Sequence, residues 1–195
     1  MKKAEIILGI LALLAIALNL LLVPGSGIIT VLSLMALSIF YAYFSVAFFN
    51  DLLLKVAFKK ESYKEISTLR VVGAILTGFA LAITIVGLLF KFQSWPGASI
   101  NLLLGFSGLA IALIVGLPKY LKTKSKYYSK IFKRIGVYGG FALMFILLPS
   151  TLWLELKYRN HPYYVEAVKK VLADPGNESL QNELDRAWQR MKEER

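Results

Sequence analysis

Five stretches of this chain run without a charged side chain for long enough to cross a bilayer: residues 6–23, 27–49, 71–90, 98–117 and 135–154. An α-helix rises about 1.5 Å per residue, so roughly 20 residues cover the ~30 Å hydrocarbon core. The hydrophobic fraction of 57% and mean hydropathy of +0.61 lie above the usual range of soluble domains and come from these runs. The pattern predicts an all-α membrane protein with five transmembrane helices over those residues, followed by a soluble tail at 155–195. The first run follows Lys2 and Lys3, as the core of a secretory signal would. It exceeds the ~7–15 residues of such a core, and Pro24-Gly25-Ser26-Gly27 reads as a tight turn, so a retained first helix is expected.

Lysine and arginine fix the expected orientation. Lys2 and Lys3 precede the first run. Lys55, Lys59, Lys60, Lys64 and Arg70 fall between the second and third, and Lys119, Lys122, Lys124, Lys126, Lys130, Lys133 and Arg134 between the fourth and fifth. The opposite short loops hold only Lys91. By the positive-inside rule the N-terminus is cytoplasmic, and five spans put the C-terminus in the periplasm of a bacterial inner membrane. The net charge of +11 therefore reads as a membrane-facing asymmetry, not as a nucleic-acid surface. One cytoplasmic loop carries Leu52-Leu53-Leu54, Val56 and Phe58. The other interleaves Tyr120, Leu121, Tyr127, Tyr128, Ile131 and Phe132 with lysines. Such a pattern suits either a short helix in the headgroup layer, held by anionic lipid, or a simple basic flank.

The tail is electrically neutral, with eight basic and eight acidic residues from 155 to 195. Pro162 suits a first helical turn, and Tyr164, Val165, Val168, Val171 and Leu172 form an apolar stripe. Asp174-Pro175-Gly176-Asn177 signals a turn, and Leu180, Leu184, Ala187, Trp188 and Met191 share one face of a second helix. The expectation is a helical hairpin too small to stand alone, packed on the membrane domain, a second copy or a partner.

Pro24-Gly25 and Pro96-Gly97 stand 72 residues apart in the two outward turns. Each fits the central positions of a type II turn, where proline pre-sets φ and glycine supplies φ > 0. The first four spans therefore read as a possible tandem repeat of one helical hairpin. The second outward turn is the most specific local signal in the chain, with Phe90, Lys91, Phe92, Trp95, Pro96 and Gly97 as its core. Gly87, Phe90, Lys91, Trp95, Pro96, Gly97 and Ala98 resemble the outer turn of the GldL-type gliding-motility and type IX secretion membrane proteins of Bacteroidota. The resemblance covers about residues 71–117, with Ser94 where the family usually has His. It implies a hairpin whose turn faces the periplasm. The family's motor action is attributed to an acidic residue in the returning helix, and residues 98–117 hold none. Read physically, Lys91 would snorkel to the outer headgroups and Trp95 would sit in the interfacial belt; the alternative is contact with a partner.

Small residues mark a helix-packing face: Asn101, Gly105, Gly108, Ala112 and Gly116 on the fourth span, with Ala74, Gly78 and Ala82 on the third. Small side chains let membrane helices approach closely. Such faces serve packing within the chain, or a protein partner or self-association through spans three to five and the tail. Pro149 should kink or end the last span. The chain has no cysteine and one histidine, His161, and no nucleophile–base pair, paired carboxylates or phosphate loop at a meaningful spacing. No catalytic residue, cofactor or metal is expected. These features point to a non-catalytic structural or accessory subunit of a cell-envelope membrane complex. The alternative is a small transporter or channel with Asn19 and Asn101 near the repeat interface.

Overall fold

The computed structural model describes residues 1–57 and 59–194. Phe58, read above as part of an apolar loop segment, and Arg195 lie outside the described residues. Every regular element among them is helical: α1 (Lys2–Leu20), α2 (Ser26–Phe49), α3 (Thr68–Gln93), α4 (Ala98–Thr123), α5 (Lys126–Arg134), a π-helical turn (Ile135–Gly139), α6 (Gly140–Leu147), α7 (Ser150–Lys157), α8 (Pro162–Ala173) and α9 (Glu178–Glu193). Two short 3₁₀ turns, Leu54–Val56 and Lys60–Tyr63, lie between α2 and α3. The chain divides into two units, Met1–Leu147 and Leu148–Arg195.

In the first unit, α1 to α4 are long and apolar enough to cross a membrane. They pack in chain order as two hairpins, with α2 against α3 joining them and α6 lying on α3 and α4. Helix α3 is the most enclosed and α1 and α4 the least, so the apolar outer faces of the latter two are left for lipid.

The sequence-based boundaries need correction at two places. The lysine-rich stretch after residue 117 is not a loop, because α4 continues through Pro118 to Thr123 and α5 begins at Lys126. Proline removes one hydrogen bond from a helix interior, but the residues beyond it keep theirs and the helix resumes. Helix α5 is the lysine-rich opening of the last helix of this unit and runs through the π turn into α6. Its inner face is buried: the Tyr127 hydroxyl donates to the Arg70 carbonyl at 2.9 Å, and Ile131 is enclosed as well.

The stretch 135–154 is not one helix. Helix α6 ends at Leu147, and Pro149, with φ −54° and ψ 141°, is the N-cap of α7. Proline cannot donate to the preceding turn and holds the chain extended there. Four single helices thus meet the length and composition of a span; a fifth exists only if the two pieces on either side of Pro149 act together.

The second unit holds α7, α8 and α9. Pro162 occupies the first turn of α8, and Asn177 caps α9 by accepting from the Ser179 and Leu180 amides at 3.1 and 3.4 Å. Helices α8 and α9 pair through Tyr164 and Trp188, whose ring centroids lie 5.6 Å apart, and around the fully buried Met191. Val165 is buried with them, whereas Leu172, placed on the apolar stripe by its spacing, is exposed.

Candidate functional site

The most concentrated polar chemistry in the first unit is a buried ion pair. Glu5 on α1 meets Arg134 at the end of α5, with Nε to Oε1 at 2.8 Å and Nη2 to Oε2 at 2.5 Å. Both side chains are largely enclosed, at 12% and 18% exposure. The Tyr41 hydroxyl on α2 donates to the same Oε1 at 2.5 Å, and the Tyr138 ring of the π turn lies edge-on to Tyr41 at 5.5 Å. The Arg134 guanidinium also covers the Phe48 ring at 4.8 Å. One carboxylate thereby ties α1, α2 and the last helix together, and each of its oxygens has a charge-assisted partner. Nearby, Lys130 of α5 pairs with Asp51 just beyond α2.

The cluster lies about two turns in from the end of α2. Helix α2 runs eight residues past Tyr41 to Phe49, roughly 12 Å at ~1.5 Å per residue. Ionisable groups enclosed within protein in this way are costly and survive when paired. The five apolar runs remain free of charged side chains, and the pair joins residues at the edge of two of them. Glu5 and Arg134 each sit one residue before an apolar run, so a reading of the runs alone treats them as solvated flanks.

The two Pro-Gly turns, between α1 and α2 and between α3 and α4, are built alike. The amides of Ser94 and Trp95 donate to the Lys91 and Phe90 carbonyls at 3.1 and 2.8 Å, with Ser94 left-handed at φ 58°. Seventy-two residues earlier, the amides of Leu22 and Val23 donate to the Asn19 and Leu18 carbonyls at 3.1 and 3.0 Å, with Leu22 at φ 56°. This is the Schellman ending of a helix. The apolar contact that accompanies it is the Phe90 and Trp95 ring pair, 5.4 Å apart. Gly25 and Gly97, at φ 79° and 83°, then supply the positive φ expected after proline. The shared geometry is finer than the weak side-chain match between the hairpins.

Within this turn Lys91 departs from expectation. It is 4% exposed and buried, whereas snorkelling would put it at the surface. Its spacing explains the difference, because Leu81, Thr84, Leu88 and Lys91 recur at helical intervals on a buried stripe of α3. Phe92 is buried also, against Phe145 at 5.2 Å, while Trp95, Pro96 and Gly97 are exposed. The Gln93 amide donates to the Gly27 carbonyl at 2.7 Å, which pins one Pro-Gly turn to the other.

The small residues serve two opposite faces of α3, not one. A Cβ at Gly78 would meet the Ser45 side chain at 2.3 Å and the Tyr41 carbonyl at 2.6 Å, so Gly78 faces α2. Ala82 faces it too, its carbonyl accepting from the Ser38 hydroxyl at 3.2 Å, and Ala74 is fully buried. The α4 contact lies on the other side: a Cβ at Gly105 would meet the Thr84 amide nitrogen at 2.6 Å, and one at Gly108 the Ala80 methyl at 2.9 Å. Gly116 lies against Phe132 instead, and Ala112 lines a cleft. Asn101 bonds its own turn, Nδ2 to the Gly97 carbonyl at 3.1 Å. Asn19 is buried near Gly27, and its Oδ1 has no hydrogen-bond partner among the described residues. The two asparagines do not form a shared polar site.

Among the described residues no three of His, Cys, Asp and Glu gather as a metal site. Compared with family models, with curated proteins and with solved structures, the chain matches none.

Proposed function

We propose that this chain is a non-catalytic structural or accessory subunit of a bacterial cell-envelope membrane complex. The carrying observation is that several enclosed polar groups of the first unit join one helix to another. The Glu5 carboxylate joins three helices through Arg134 and Tyr41, the Thr30 hydroxyl donates to the Ala15 carbonyl at 3.0 Å and the Ser38 hydroxyl to that of Ala82. The contacts at Gly105 and Gly108 are too close to leave a polar path between α3 and α4 there, which weighs against the transporter reading. The GldL-like turn, residues 90–97, enters the proposal as a resemblance of sequence alone, without the family's acidic residue in the returning helix.

The lysine distribution supports a cytoplasmic N-terminus in the inner membrane. The N-terminus and the α2–α3 and α4–α5 connections would then face anionic lipid. The tail hairpin, on the far side if the pieces flanking Pro149 cross together, and the outer faces of the later helices are the surfaces for a partner or a second copy. Purification of the tagged full chain in mild detergent tests the reading. A stoichiometric companion protein supports it; a lone monomer that conducts a solute in vesicles overturns it.

A further inference from the structure

A cleft of about 140 Å³ opens between α3, α4 and α5 at the lysine-rich end of the first unit. Its α4 wall runs from Gly108 through Ala112 and Gly116 to Lys119, and Gly73 and Tyr127 face it from α3 and α5. The deep end closes where Gly108 meets Ala80. Gly108 and Lys119 are 11 residues apart on α4, roughly 16 Å at ~1.5 Å per residue. That matches the ~15 Å hydrocarbon depth of one leaflet. The wall is mainly apolar, and two of its hydroxyls are already engaged: Thr77 donates to the Gly73 carbonyl at 2.7 Å and Tyr127 to that of Arg70 at 2.9 Å. Lys119 at the mouth is exposed and, among the described residues, has no carboxylate partner. Its neighbours Lys122, Lys124 and Lys126 add positive charge with no acid between them.

We propose that this cleft holds one anionic phospholipid of the leaflet on the lysine-rich side, an acyl chain lying along Ala112 toward Gly108 and the phosphate meeting Lys119. Length, apolar lining and an unneutralised cation at the open end each fit that occupant. The proposal rests on the reading that the lysine-rich face meets anionic lipid, and it adds a single defined site to that diffuse attraction.

The test is native mass spectrometry of the full chain released from detergent micelles, titrated with dioleoyl phosphatidylglycerol or dioleoyl phosphatidylcholine. A first phosphatidylglycerol should bind at least tenfold more tightly than later ones and than phosphatidylcholine. Ala112→Leu, which fills the cleft, should remove that first step. Lys119→Gln should erase the headgroup preference, while Lys122→Gln, outside the cleft, should leave it. Circular dichroism shows whether each variant keeps its helices; if Ala112→Leu does not, Lys119→Gln against Lys122→Gln decides. A graded series of equal phosphatidylglycerol steps, lowered alike by both lysine variants and untouched by Ala112→Leu, overturns the cleft but keeps the charged surface. No preference for phosphatidylglycerol in the parent chain overturns both.

Discussion

Glu5 and Arg134, 129 residues apart in the chain, meet as a two-pronged pair beneath the lysine-rich end of the bundle. Helix α1 has little other anchorage, since it packs on α2 with few buried side chains of its own: Ala12, Ala15 and Asn19. The pair and the Thr30–Ala15 bond add fixed points to the packing of α1 on α2 and to the turn that joins them.

Removing one partner leaves the other charge buried, which costs on the order of 3–5 kcal/mol. Glu5→Gln or Arg134→Met alone should therefore lower the unfolding midpoint in a denaturing detergent titration. Glu5→Met combined with Arg134→Met should recover much of that loss, because both charges are gone. Additive losses in the double variant would mean that the two side chains do not act as a pair.

The four long helices were legible because an uncharged run of that length has few other uses. The ion pair was not, because the same reading discards the residues flanking each run, and both Glu5 and Arg134 are flanks. Lys91 was misread for a related reason: its charge outweighed its helical register with Leu88, Thr84 and Leu81, which was visible in the sequence. Counting small residues found Gly78 and Gly105 but could not say that they face different neighbours. That follows from a 3.6-residue period carried across both sides of α3. Pro149 was read as a kink or an end, and the structure resolves this in favour of an end.

The close approach of α3 and α4 should make Gly105 intolerant of any side chain. A Cβ there would lie 2.6 Å from a backbone nitrogen, which cannot move aside as a side chain could. Gly105→Ala should destabilise by about 1–3 kcal/mol, the usual cost of overpacking. Gly9→Ala has open space and should be neutral. Thermal aggregation in detergent compares the two, and equal midpoints would refute the contact.

In the second unit, Glu194 accepts from the Tyr163 hydroxyl at 2.7 Å, from Arg190 at 3.0 Å and lies 3.2 Å from the His161 ring. The Tyr163 hydrogen bond and then that of Arg190 hold its carboxyl below the usual carboxylate range. A depressed folded-state value gives a contribution that is complete above the unfolded carboxylate value and is lost as pH falls through the folded one. The contact between the start of α8 and the end of α9 should thus persist at pH 5 to 7 and open in more acid solution. Hydrogen exchange of the last turn of α9 would report it, and Glu194→Gln should abolish the pH dependence.

The turn between α3 and α4 offers opposite responses at neighbouring positions. Ser94 holds a left-handed backbone, φ 58°, that glycine adopts freely. Ser94→Gly should therefore stabilise modestly, because the roughly 1–2 kcal/mol of left-handed strain it relieves exceeds the ~0.4–1 kcal/mol cost of glycine's extra freedom in the unfolded chain. Gly97 also has positive φ, at 83°, and no neighbour would clash with a Cβ there except by way of that φ. Gly97→Val should lower membrane abundance, because a β-branched residue resists that conformation. Trp95→Phe keeps an aromatic ring against Phe90 and should change stability little. If Trp95 instead touches a partner, Trp95→Phe would leave abundance intact and lose the companion on co-purification. Abundance and melting midpoints of the three variants separate these outcomes, and a Gly97→Val protein as abundant and stable as the parent would refute the turn's dependence on glycine.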